Sequence, residues 1–86
     1  MPEISRFLGI VVKMFADDHN PPHFHAEYGG KAALIEIRTL STFSGRLPAR
    51  VMGLVIEWAT IHQEELLADW ERVQSHQELR KIAPLE

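Results

Sequence analysis

The chain has 86 residues, with 9 Lys plus Arg against 12 Asp plus Glu, a formal charge of −3 and no cysteine. Independent folding units rarely fall below about 50 residues and no Gly/Ser-rich linker divides this chain, so the expectation is a single domain, 1–86, without disulfides or thiolate chemistry. Apolar residues at 45% and charged residues at 24% exclude a disordered tail. The apolar stretches are far shorter than the roughly 20 residues of a membrane-spanning helix.

Residues 7–15 (FLGIVVKMF) are rich in β-branched and aromatic side chains and nearly continuously apolar, which predicts one strand. Asp17, Asp18, His19, Asn20, Pro21 and Pro22 stop it, because two consecutive prolines remove two ladder donors and force an extended path. Residues 23–28 read as a short strand whose core face carries Phe24 and Tyr28. Gly29 and Gly30 suit a primed turn into a strand over 31–38. Residues 39–43 read as a further short strand before a turn at Gly45.

Pro48 is placed to open a helix that runs from Ala49 to about Gln74 with no proline. At 100° per residue, Val51, Leu54, Val55, Trp58, His62, Leu66 and Val73 share one stripe, flanked by Ala59 and Trp70. A break between 60 and 63 would give two helices in place of one. Residues 77–82 read as a returning edge strand open to pairing with another chain, followed by a loose end. Strands first and helix afterwards predict an α+β fold: a small antiparallel sheet of three to four strands packed against one long or two shorter C-terminal helices.

The densest chemistry lies between Asp17 and Tyr28, where three of the five histidines fall within seven positions. Alternation along a strand puts His23, His25 and Glu27 on one face, with Asp18 and His19 nearby on the stiff loop. Three readings are open. A divalent metal could be held by His23 and His25 with His19 or an Asp in the third position. Metal-free acid–base chemistry could use the two imidazoles, oriented by Asp18 or Glu27. The same polar loop could instead satisfy its own backbone and serve as a protein-binding surface. His62, at the centre of the helical stripe, is either a core histidine or a further member of the strand cluster. Glu64, Glu65, Asp69 and Glu71 read as a solvated acidic face.

The opening MPEISRF, the phrase DHNPPHFHAEY over 18–28, LVIEWA over 54–59 and the closing KIAPL together resemble the bacterial domain of unknown function 4160 family. The resemblance implies a small cytosolic protein. It also implies a gene neighbour of the domain of unknown function 2442 type, in a pair of the toxin–antitoxin kind with the present chain on the toxin side. The resulting expectation is a toxin component, neutralised by that small protein partner, acting through Asp18, His19, His23, His25 and Glu27. A nuclease-like phosphodiester hydrolysis is its candidate reaction. The alternative is a non-enzymatic protein-binding or regulatory module that contacts DNA only within a complex. Self-association would also add to the thin stability margin of so small a domain. The acidic charge disfavours nucleic acid as a direct partner, since phosphates are held by Lys and Arg and no cation cluster stands out.

Overall fold

Leu8 and Gly9 both adopt positive φ, 50° and 80°, in the computed structural model, which describes residues 2–86. Positive φ at both central residues marks a tight hairpin turn. It divides the apolar run 7–15 into β1 (Glu3–Phe7) and β2 (Ile10–Lys13), paired antiparallel with Phe7 opposite Ile10. The single strand expected there is thereby corrected: a continuous apolar run has no period to interrupt, and only Gly9 marked the reversal.

β3 (His23–Tyr28) and β4 (Lys31–Glu36) form the expected Gly29-Gly30 hairpin, with Tyr28 opposite Lys31. The segment after Glu36 is a turn closed by Leu40 N–H to Glu36 O (2.8 Å) and Glu36 N–H to Ser41 O (2.9 Å). The last strand, β5 (Thr42–Gly45), therefore starts later than the expected 39. The sheet is an antiparallel meander in the order β1-β2-β3-β4-β5, five strands in place of three to four.

The helical half divides at His62 into α1 (Ala49–Ile61) and α2 (Gln63–Gln74). Gln63 fixes the break by donating its side-chain amide to the carbonyls of Ile37 (2.7 Å) and Arg38 (3.0 Å) at the end of β4. Val51, Val55, Trp58 and Ala59 of α1 are buried, as are Leu66, Trp70 and Val73 of α2, close to the stripe expected from periodicity. Trp58 is the hub, its ring 5.5 Å from Phe7 and 6.0 Å from Phe24. Phe24 and Ala26 supply the core face of β3, but Tyr28 is 37% exposed, because it stands at the turn end of the hairpin beside Gly9. Asp69 also departs from expectation: it is fully buried, accepting from Arg72 Nη1 (2.7 Å) and from the backbone N–H of Arg80 (2.9 Å).

Residues 77–82 do not form the expected edge strand. They run as a strap held by Arg80 to Asp69, by Ile82 N–H to Ile4 O (2.8 Å) and by Trp58 Nε1 to Ala83 O (2.8 Å). Among the described residues no helix is long and apolar enough to cross a membrane.

Candidate metal centre

α2 is tied at its first residue to the end of β4 and at its last, through Gln74 Nε2 to Asp18 O (3.1 Å), to the loop before β3. It therefore lies across the end of the sheet where β3 begins, and Trp70 in its middle rests against the His23 ring at 5.3 Å. This seating buries His23, which is 4% exposed despite lying on the face that alternation left open. Phe43 of β5 meets the His23 ring edge-on at 5.1 Å, and Phe15 meets the His25 ring edge-on at 4.7 Å.

Two imidazoles converge on one carboxylate oxygen. Asp18 Oδ2 is 2.8 Å from His25 Nε2 and 3.3 Å from His23 Nε2. The loop sets this arrangement: Asp18 N–H bonds Phe15 O (3.3 Å) and Ile37 N–H holds Pro22 O (2.9 Å).

The proton on His23 can be placed from its partners. Nδ1 lies 2.8 Å from the carbonyl oxygen of Pro21, which can only accept, so Nδ1 carries the hydrogen. In the neutral ring, Nε2 is then a bare lone pair. It is buried without a hydrogen-bond partner and faces the Asp18 oxygen, another acceptor. A buried lone pair 3.3 Å from a half-buried carboxylate oxygen is stabilised by a cation between them, a metal ion or a proton on Nε2. An ion about 2.0–2.2 Å from each of two ligand atoms leaves those atoms about 3–3.5 Å apart, which is the spacing of His23 Nε2 and Asp18 Oδ2, whereas His25 Nε2 at 2.8 Å from the same oxygen is hydrogen-bonded to it and would move outward to share an ion. The Nδ1–H to carbonyl bond is also the usual outer support of a metal-bound imidazole. Asp18, His23 and His25, with ligand atoms all within 4.8 Å of one another, can thus hold a metal ion.

The structure brings three of the expected residues together and leaves the others apart. His19 is exposed and outside the cluster, and of the two candidates for the third position, His19 or an Asp, it is Asp18 that lies beside His23 and His25. Glu27 faces the same side as His25 but pairs with Lys13 Nζ at 3.0 Å. His62 stays apart, with Nδ1 on Glu65 Oε1 and its ring 5.5 Å from Trp58. Nothing local in the sequence marks Phe15, Phe43 or Gln74 as neighbours of the cluster, because their positions in space are set by a turn and a helix end that leave no local pattern. The resolved pKa shifts lie away from the centre: Arg6, hydrogen-bonded to Glu3, holds that carboxyl below its ordinary range and is itself raised.

Among known proteins, the family described as "Domain of unknown function (DUF4160)" matches residues 9–71, which include every residue of the cluster. The chain belongs to this family. No curated protein and no solved structure matches it. DUF4160 membership therefore fixes kinship without supplying chemistry, and the chemical reading rests on the Asp18–His23–His25 geometry.

Proposed function

We propose that Asp18, His23 and His25 bind one divalent transition-metal ion and that this centre hydrolyses a phosphodiester. In this reading the chain is the toxin-side half of a pair whose small protein partner, of the domain of unknown function 2442 type, covers the centre. The observation that carries the metal reading is the buried, unpartnered Nε2 of His23 aimed at Asp18 Oδ2. Two imidazoles and one carboxylate suit zinc, iron(II) and manganese, and three protein ligands leave positions open for water and substrate. Such an ion lowers the pKa of a bound water and polarises a phosphoryl oxygen. It also brings positive charge to a chain whose net charge is −3. The partner half of the proposal is supported by the family resemblance.

Elemental analysis of untagged protein, with cobalt(II) absorption spectroscopy on the metal-free chain, tests the centre. The expectation is one ion per chain, lost in His23→Ala and in Asp18→Asn. A trace below stoichiometry in every preparation, with no cobalt spectrum, refutes it. Expression in bacteria with and without the partner tests the role: growth arrest relieved by the partner and by His25→Ala supports a toxin. An inert chain whose partner binding is lost with the same substitution is instead the non-enzymatic module.

A further inference from the structure

The net charge of −3 conceals a segregation. Residues 37–56 hold three arginines, Arg38, Arg46 and Arg50, and no acid, whereas the other 66 residues hold six cations against twelve acids. All three arginines are exposed, and none is in an ion pair among the described residues, although Arg6, Lys13, Arg72 and Lys81 each pair with a carboxylate. The fold assembles them around one strand. Arg38 lies in the turn leading into β5, Arg46 directly follows it, and Arg50 opens α1, whose first turns reach β5 through Thr42 Oγ1 to Met52 Sδ (3.7 Å).

β5 itself is exposed along its whole length, forms the last strand of the sheet and carries no charge. Its one large side chain, Phe43, is 49% exposed and touches the His23 ring. The nearest acid in sequence, Glu36, has Oε2 engaged by Thr39 Oγ1 at 2.8 Å. Cations flanking a solvent-exposed aromatic ring are the pattern that holds a single strand of nucleic acid: arginines take phosphates, and the ring takes a base on its face.

We infer that β5 with Arg38, Arg46, Arg50 and Phe43 forms a track for single-stranded nucleic acid, which delivers a phosphodiester to the Asp18–His23–His25 centre. The delivery step rests on the metal-centre proposal; the binding step does not. An acidic protein segment would satisfy the arginines but leaves the exposed aromatic ring beside the histidines without a role. The placement also answers the objection from net charge, because contacts depend on local and not on summed charge.

The test is fluorescence anisotropy of a fluorescein-labelled twelve-nucleotide oligo(U), and of oligo(dT), with the full chain in EDTA at low salt. Three phosphate contacts at about −0.7 each give a log–log salt slope near −2. Replacing all three arginines by glutamine should weaken binding at least tenfold and flatten the slope. Phe43→Leu should weaken it between about fivefold and 150-fold without changing the slope, as loss of one stacked base does. Circular dichroism of both variants should stay as in the parent chain, and so should cobalt(II) uptake by the triple-arginine variant. Preferred binding of oligo(U) identifies RNA, of oligo(dT) DNA; either supports the track. Absence of oligonucleotide binding with normal cobalt uptake overturns the track and leaves the metal centre standing. Binding without cobalt uptake keeps the track and overturns the centre. Capture of a poly-glutamate peptide in preference to both oligonucleotides overturns the nucleic-acid assignment.

Discussion

Replacing Asp18 by asparagine separates the stability of the cluster from the metal binding proposed for it. The oxygen between the two rings becomes an amide whose NH₂ can donate to His23 Nε2 at 3.3 Å and to His25 Nε2 at 2.8 Å, the His25 proton moving to Nδ1. A buried nitrogen without a donor costs about 1–3 kcal/mol, so supplying one should recover about 1 kcal/mol in the metal-free protein. For a domain of this size that is a rise in Tm of about 4–8 °C. The response to metal should move the other way. The parent chain with its ion at a hundredfold excess over Kd gains about 2.7 kcal/mol, whereas a hundredfold loss of affinity leaves about 0.4 kcal/mol at the same concentration. Thermal unfolding followed by tryptophan fluorescence, in EDTA and in zinc or manganese, reads both effects. If Asp18→Asn keeps the full metal-induced shift, Asp18 is not a ligand. If it destabilises the EDTA-treated protein by more than about 2 kcal/mol, a charged imidazolium at His23 paired with Asp18 is indicated, and the lone-pair argument fails.

Other expectations follow from packing. A Cβ on Gly45, which has φ +77°, would stand 2.1 Å from Ala32 O, so Gly45→Ala should lower stability by at least about 2 kcal/mol in urea unfolding. Gly53→Ala, on an open helical surface, should raise it by about 0.5–1 kcal/mol. Asp69→Ala should cost about 1–3 kcal/mol, because it removes the acceptor shared by the Arg72 guanidinium and the Arg80 N–H, and the strap from Arg80 should become sensitive to proteolysis. His62→Ala should leave cobalt(II) binding unchanged, since its ring nitrogen is engaged by Glu65 and lies outside the cluster.

The parts of this fold legible in sequence are those with a period or a punctuation mark. The Gly29-Gly30 hairpin, the Pro21-Pro22 stop and the stripe Val51, Val55, Trp58, Leu66, Val73 all stand where local chemistry puts them. The β1–β2 turn was hidden because one of its two positive-φ residues is Leu8, which carries no turn signal. Asp69 reads with Glu64, Glu65 and Glu71 as one acidic helical surface, and those three are exposed, yet Asp69 is buried by a strap that comes from the far end of the chain. At the centre, alternation correctly paired His23 with His25. The choice of Asp18 over His19 depends on the Phe15–Asp18 turn and on Gln74, 56 positions away in sequence. The arginine segregation over 37–56 was fully present in the sequence and was masked by averaging charge over the whole chain.

Placing the centre at a junction of elements gives it a structural consequence. Its residues are held by groups that also close the fold: Trp70 and Gln74 bring the middle and end of α2 onto His23 and Asp18, and the Pro21 and Pro22 carbonyls bind the His23 ring and Ile37. An ion bound there would cross-link the loop before β3 to β3 itself, and through Gln74 would strengthen the seating of α2. Because the unfolded chain offers no preformed site, most of that binding free energy would appear as folding free energy. A small domain with a thin margin gains more from such a link than a large one, since the same increment is a larger fraction of its stability. Metal removal should therefore loosen α2 and the 15–22 loop together while leaving the β3–β4 hairpin protected, a pattern that amide hydrogen exchange resolves; uniform loosening would show that the centre is not coupled to the fold in this way.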